Sequence, residues 1–153
     1  MSKTKVLYLV YQSPNLANGG LKSLLGVILN LKKTEPLVLT NIESAFTQKL
    51  IDAGVRVVIE KPTGNKFTGI VRLNKRVSSL LRSEKINVLH CNDIDALWWG
   101  VWAGKLNRAK VIFNIRGVKK VGDKYSLKWY PVNFCDEVIF LSQEMKEELQ
   151  RRW

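Results

Sequence analysis

Six short apolar runs recur along the chain, and segments with helical periodicity separate them. Each run is rich in β-branched residues and too short for a buried helix, so it predicts a strand that is buried on both faces. The runs are KVLYLVY (5–11), PLVLT (36–40), VRVVIE (55–60), INVLHC (86–91), KVIFNI (110–115) and EVIFLS (137–142).

The intervening segments place apolar residues three and four positions apart, which is typical of helices that pack on a sheet. They cover 21–33, 44–53, 68–84, 94–107 and 142–152, and Gly54 is a plausible C-cap of the second. Strands alternating with helices predict an α/β fold, a Rossmann-like doubly wound parallel sheet with helices on both faces. We expect a single domain over residues 1–153.

The apolar runs, the start of the chain and the cysteines indicate the cellular compartment of the protein. The apolar runs fall short of the roughly 20 residues that a membrane-spanning helix needs, and the charged start MSKTK leads into a strand without a signal-peptide pattern. Cys91 and Cys135 are far apart in sequence, which argues against a zinc site and against a secreted disulfide scaffold. The sequence therefore predicts a cytoplasmic protein.

The chain is strongly basic. It has 25 Lys and Arg against 13 Asp and Glu, a formal net charge of +12, which favours anionic partners. A basic helix and a basic loop near Trp129 and Tyr130 predict a surface that faces an anionic membrane on the inner side of the plasma membrane, although a solvated face is the alternative. Its residues are Arg72, Lys75, Arg76, Lys119, Lys120, Lys124 and Lys128. The other basic residues are scattered, which argues against nucleic acid as a partner.

Polar residues collect after the predicted strands, at the edge where parallel sheets of this type bind ligands. Gly19 and Gly20 precede the first helix, where backbone N–H groups can approach a phosphate or sugar closely; a plain strand-to-helix turn is the alternative. The dinucleotide fingerprint G-x-G-x-x-G is absent. No acidic, His or Cys cluster has metal-ligand spacing, so we expect no metal and no cofactor.

Four further residues are candidates for an acceptor crevice, and each has a structural alternative. His90 and Asn92 end the fourth strand, where a packed histidine is the commoner situation. Asp93, like Asp95, is placed to hold an acceptor, but Asp93 equally suits a helix cap. Arg116 suits a phosphate clamp or a plain surface position. Trp98, Trp99 and Trp102 are expected mostly in the core.

These segments together resemble the amino-terminal, acceptor-side domain of the GT-B-fold glycosyltransferases of family 4. The resemblance rests on NGGLKSLLGVILNL, INVLHCND, KVIFNIRG and above all CDEVIFLSQEMKEELQRRW. The last segment matches the family's closing strand and helix through Asp136, Ser142 and Leu149. Asn92 and Arg116 replace histidines of the family's motifs, so the resemblance does not carry a histidine role to either position.

The resemblance implies an enzyme that transfers a hexose-type sugar from a nucleotide-sugar to a glycan or lipid-linked acceptor. It suggests a role in bacterial surface polysaccharide or lipopolysaccharide synthesis, and a carboxy-terminal donor-binding domain, supplied in cis or trans, that this chain lacks. The Gly19–Gly20 loop would then face the donor, and we expect this chain alone to be an inactive half. The alternatives are a nucleotide-dependent oxidoreductase or epimerase domain, and a basic binding module without catalysis.

Overall fold

The computed structural model describes residues 3–12, 19–115 and 126–152 and contains every predicted strand and helix. The strands are β1 (Thr4–Val10), β2 (Thr34–Thr40), β3 (Arg56–Ile59), β4 (Val88–Cys91), β5 (Lys110–Ile115) and β6 (Glu137–Phe140). The helices are α1 (Gly19–Asn30), α2 (Ala45–Asp52), α3 (Lys66–Ser83), α4 (Ile94–Leu106) and α5 (Gln143–Arg152). A 3₁₀ helix, Tyr130–Phe134, precedes β6.

The six strands form one parallel sheet in the order β3-β2-β1-β4-β5-β6. This confirms the predicted Rossmann-like α/β fold. The chain moves from β1 outward to β3 and then crosses back to β4, so the strand order reverses between β1 and β4. The edge beyond the carboxyl ends of these two strands is the position where such sheets bind ligands.

Alternating side chains of the sheet enter two separate cores. In β1, Leu7 and Leu9 pack in the core that α3 and α4 cover, whereas Tyr8 packs in the core that α1 and α2 cover. Both faces of the central strands are therefore dry, which explains why their sequences are continuously apolar rather than alternating.

Helix α4 lies especially close to the sheet because it carries two glycines on its inner side. A Cβ atom at Gly100 would lie 2.3 Å from Leu9 Cδ1, and one at Gly104 would lie 2.5 Å from Val111 Cγ2. No other residue fits at either position without a shift of the core, so these glycines set the distance between α4 and the sheet.

Three helices end with a residue in the left-handed conformation, which lets backbone N–H groups bond to the last carbonyl groups. Gly54 follows α2 with φ 77°, as predicted, while Lys85 and Arg108 take the same role after α3 and α4 with φ 54° and 56°. Helix α1 stops at Asn30, earlier than predicted. The Asn30 side chain there donates to the carbonyl oxygen of Gly26, and the chain enters β2 soon afterwards.

The residues of the closing motif hold the last strand and helix in place. The Asp136 carboxylate accepts from Lys105 Nζ at 2.6 Å and from the Val111 backbone N–H at 2.7 Å, which ties the start of β6 to β5 and α4. The hydroxyl of Ser142 accepts from the backbone N–H of Met145 and caps α5, and Leu149 is fully buried. The motif is therefore explained by folding alone.

Candidate functional site

The loops that follow the strands meet at the carboxyl edge of the sheet, and a buried polar network organises the first two. Gln12 donates its backbone N–H to Asn41 Oδ1 at 2.7 Å, and Asn41 returns a bond to the Gln12 carbonyl oxygen at 2.8 Å. The Gln12 side chain also bonds to the hydroxyl groups of Thr40 and Ser44. These bonds fix the exit of β1, from which the chain leads to the first helix.

Sequence reasoning missed this network. The available signal in the sequence was a glutamine directly after the first apolar run and an asparagine directly after the second. In the structure, both residues are almost fully buried. Buried amides require partners: the Asn41 side chain finds them on the Gln12 backbone, and the Gln12 side chain finds them on Thr40 and Ser44.

Asp93 connects β1 to α4. Its carboxylate accepts from the backbone N–H of Ala96 at 2.8 Å, which confirms the predicted helix cap, and from the backbone N–H of Tyr11 at 3.0 Å. Burial raises the pKa of Asp93 to about 6, although the two backbone hydrogen bonds oppose the rise. Any contact between Asp93 and an acceptor remains a prediction.

The other predicted acceptor residues do not line an open crevice in the described part of the chain. His90 is buried, with its ring 5.1 Å from the Tyr8 ring, and Asn92 is almost fully buried with its backbone N–H on the Leu9 carbonyl oxygen. Arg116 lies outside the described residues. The structure thus brings His90, Asn92 and Asp93 together at the carboxyl end of β4. His90 and Asn92 are buried there.

An open crevice of about 220 Å³ lies beside them, between the amino-terminal ends of α3 and α4. The aromatic residues Tyr11, Trp98 and Trp99 line it, together with the loop before α3 and the carboxylate-bearing Asp95. The Tyr11 and Trp99 rings meet edge to face at 5.5 Å. The crevice therefore has an aromatic wall and a charged rim, the usual composition of a small-molecule site.

Two features of the sequence build this crevice. Gly64 adopts φ 82° and turns the chain so that Asn65 caps α3 by accepting from the Thr68 backbone N–H. The first half of helix α4 places Trp98 and Trp99 against the crevice. The tryptophans were expected mostly in the core, which is right for Trp99, whereas Trp98 is only half-buried.

The glycine pair stands at the start of α1. A Cβ atom built at Gly19 would meet no heavy atom of the described residues within 4 Å, and its φ is not in the left-handed region. Neither packing nor backbone conformation therefore demands glycine at this position. That Gly19 and Gly20 face a donor stays a prediction.

The predicted basic surface divides into two parts. Arg72 and Arg76 form ion pairs with Glu60 at 3.2 Å and 3.7 Å, so part of their charge is neutralised within the molecule. Lys75 and Lys128 are exposed, and neither forms an ion pair with a described residue. Lys119, Lys120 and Lys124 lie outside the described residues.

Among residues 3–12, 19–115 and 126–152, no three His, Cys, Asp or Glu side chains are grouped so that they could hold a metal ion. Over the same residues, no helix combines the length and the apolar character that crossing a membrane requires.

Solved structures share this fold. A glycosyltransferase from Rickettsia africae has a TM-score of 0.78 and 17% sequence identity; the match covers 99% of this chain and 40% of that one. The HepE protein of Anabaena, in complex with UDP and glucose, has a TM-score of 0.75, 16% identity and coverage of 97% and 41%. A putative UDP-N-acetylglucosamine 2-epimerase from Listeria monocytogenes has a TM-score of 0.71, 14% identity and coverage of 99% and 42%.

These likenesses establish the fold, and the chain spans about 40% of the length of the Rickettsia and Anabaena structures. The fold occurs both in a glycosyltransferase and in a putative epimerase, so it does not separate the two activities. No curated protein matches the chain significantly. The model of the family described as Glycosyltransferase Family 4, however, matches residues 32–153. This match confirms the resemblance seen in the sequence, and the chain belongs to glycosyltransferase family 4.

Proposed function

We propose that this chain is the acceptor-side domain of a glycosyltransferase that transfers a hexose-type sugar from a nucleotide-sugar to a glycan or glycolipid. The observation that carries the proposal is the family match over residues 32–153. We further propose that the product belongs to a bacterial surface polysaccharide or lipopolysaccharide. The family match favours this function over the epimerase and oxidoreductase alternatives.

The aromatic crevice is the proposed acceptor site. The faces of a sugar ring carry C–H groups that pack well on aromatic rings, and Tyr11, Trp98 and Trp99 supply such rings. Asp95 at the rim accepts hydrogen bonds from sugar hydroxyl groups. An acceptor that satisfies both requirements is a glycan or the sugar head of a glycolipid.

The donor is proposed to approach from the other side of the sheet edge. The start of α1 at Gly19 and Gly20 is the positive end of the helix dipole, which suits a diphosphate. A second, donor-binding domain, in cis or in trans, contributes most of the donor contacts and stabilises the leaving diphosphate. No metal or cofactor is needed for this division of labour.

The proposal is tested by titrating the chain with short glycans while its tryptophan fluorescence is recorded. We expect at least one class of hexose-containing oligosaccharide to give a saturable change. The variant Trp98→Ala should weaken this binding about fivefold to thirtyfold, since stacking and packing contacts of this kind contribute on the order of 1–2 kcal/mol.

Trp102→Ala is the matched control. Trp102 lies on the same helix but packs on Phe134, 4.7 Å away, and is not part of the crevice. This variant should bind glycans as the original chain does. Equal losses in both variants, or no saturable binding of any glycan, would contradict the assignment of the crevice as the acceptor site.

A further inference from the structure

The outer side of the sheet carries three helical elements that form one continuous layer. Helix α3 packs along α4, and α4 packs along the 3₁₀ helix. The Asn74 side chain bonds to the carbonyl oxygen of Trp98 and to the backbone N–H of Ala103, which joins α3 to α4. On the other side, Trp98 Nε1 donates to the Lys128 carbonyl oxygen at 3.0 Å. The layer therefore presents a common outer surface.

This surface exposes apolar side chains that the fold does not use. Phe67 in the first turn of α3 is 76% exposed, and Leu127 before the 3₁₀ helix is 82% exposed. Val71, one turn after Phe67, is also exposed, as is Tyr130, whose ring additionally packs edge to face on Phe134. On the helical period, Phe67 and Val71 share the side of α3 on which Asn74 bonds to α4. Phe67 and Leu127 thus belong to the same layer.

Basic residues surround these apolar side chains. Lys66 and Lys75 flank Phe67 and Val71 on α3, and Lys128 follows Leu127. None of the three lysines forms an ion pair with a described residue, whereas Arg72 and Arg76 on the opposite side of α3 pair with Glu60. The unpaired positive charge therefore lies beside the exposed apolar residues, and the neutralised charge lies away from them.

We propose that this layer docks on a bilayer with anionic headgroups. Phe67 and Leu127 enter the boundary between headgroups and acyl chains, and Lys66, Lys75 and Lys128 contact the headgroups. A bilayer surface is apolar below and charged above, with an interface that favours tryptophan and tyrosine. The layer has side chains for each level: separate apolar residues, lysines, and tryptophan and tyrosine between them. A protein partner would instead require a continuous apolar patch with a polar rim.

The docked orientation has a consequence for the crevice. Lys66 and Trp98 line the crevice and also belong to the docking layer, so binding sets the mouth of the crevice at the level of the headgroups. The sugar head of a lipid-linked acceptor lies at this level. This consequence rests on the proposed function, whereas the docking itself does not, because vesicle binding requires neither donor nor acceptor sugar.

Co-sedimentation with vesicles tests the proposal. The chain should sediment with vesicles of equal phosphatidylcholine and phosphatidylglycerol, should bind pure phosphatidylcholine vesicles much more weakly, and should be released by salt. Phe67→Ser combined with Leu127→Ser should lower the partition coefficient about tenfold or more, because two large apolar side chains leave the bilayer. Changing Lys66, Lys75 and Lys128 to Gln should lower it by up to about a hundredfold, since each basic residue near an anionic bilayer strengthens binding about fivefold.

Matched controls exist in the same molecule. Leu106 is 83% exposed but lies at the opposite end of α4, so Leu106→Ser removes an equally exposed leucine from outside the docking layer. Arg72→Gln combined with Arg76→Gln removes two charges from the paired side of α3. Both controls should bind vesicles nearly as the original chain does, and thermal unfolding of all variants should show that each is folded.

Three results would overturn the proposal: no binding to anionic vesicles, equal binding to both vesicle types, or losses in the control variants that equal those in the test variants. Vesicle binding that persists while no glycan binds would overturn the acceptor-site assignment and leave the docking surface intact. The two proposals can therefore fail separately.

Discussion

A single carboxylate, that of Asp93, joins two strands at the candidate site. It caps α4 through Ala96 and holds the exit of β1 through Tyr11. Both bonds favour the ionised form, yet burial outweighs them and raises the pKa of Asp93 to about 6 from an ordinary value of 3.8. Burying the ionised Asp93 carboxylate therefore lowers the free energy of unfolding by an amount that depends on pH.

We predict that Asp93→Asn removes a pH-dependent part of the stability. Because the pKa of Asp93 is higher in the folded than in the unfolded chain, the folded state binds more protons between about pH 4 and pH 6. The contribution of Asp93 to the free energy of unfolding is thus most favourable near about pH 4. It falls as the pH rises to about 6 and is constant above that. The total change is up to about 3 kcal/mol.

Urea unfolding of both proteins between about pH 4 and pH 7.5 measures this effect. The free energy of unfolding of the original chain minus that of the Asp93→Asn variant should decrease with rising pH and then level off. All other acids titrate in both proteins and cancel in the difference. A difference that stays constant across this range would show that the pKa of Asp93 is not raised.

At the level of elements, the distance of α4 from the sheet decides where the crevice lies. Gly104 faces Val111 and Leu89, which are both fully buried, so a methyl group at this position has no free space. Val111 is β-branched and belongs to a central strand, and it cannot turn away cheaply. The close packing of α4 is therefore a property of its glycines, and the positions of Trp98 and Asp95 depend on it.

We predict that Gly104→Ala lowers the free energy of unfolding by about 1–2 kcal/mol, because overpacking outweighs the gain in helix propensity. Gly26→Ala in α1 is the control. A Cβ atom there meets no heavy atom of the described residues within 4 Å, so that variant should be more stable by about 0.5–1 kcal/mol. Equilibrium denaturation compares them, and a stabilising effect of Gly104→Ala would mean that α4 can move away from the sheet freely.

At the level of the whole molecule, one Rossmann-like unit contains the proposed acceptor crevice and the start of α1, which is the proposed donor-facing element. The chain spans about 40% of the length of its structural relatives from Rickettsia and Anabaena. Stabilising the charge that develops on a leaving diphosphate requires groups that surround it. The proposed donor contacts of this chain are restricted to the start of α1.

We therefore predict that the chain alone binds UDP-glucose and GDP-mannose with a Kd weaker than about 1 mM, which corresponds to a binding free energy smaller than about 4 kcal/mol. Isothermal titration calorimetry measures this directly, and a short glycan that binds the crevice serves as the positive control. Micromolar binding of either nucleotide-sugar would mean that the chain contains a complete donor site.

Much of the fold was predictable because its signals are local. Short β-branched runs and helical periodicity depend only on neighbouring residues, and all six predicted strands and five predicted helices were found. The candidate site was less predictable. His90 and Asn92 sit at a strand end, as expected, but their burial depends on the elements packed above them, and the crevice combines Tyr11 with residues more than fifty positions away.

The sequence by itself determined the element order, the parallel α/β class and membership of the family, since each follows from patterns within a few turns or from the family's own motifs. Only the tertiary structure decided which charges are neutralised and which apolar residues stay exposed. Glu60 pairs with Arg72 and Arg76 because α3 crosses back past the end of β3, and Phe67, in the first turn of α3, stays exposed. Such outcomes depend on how distant elements pack, and helical periodicity does not encode that packing.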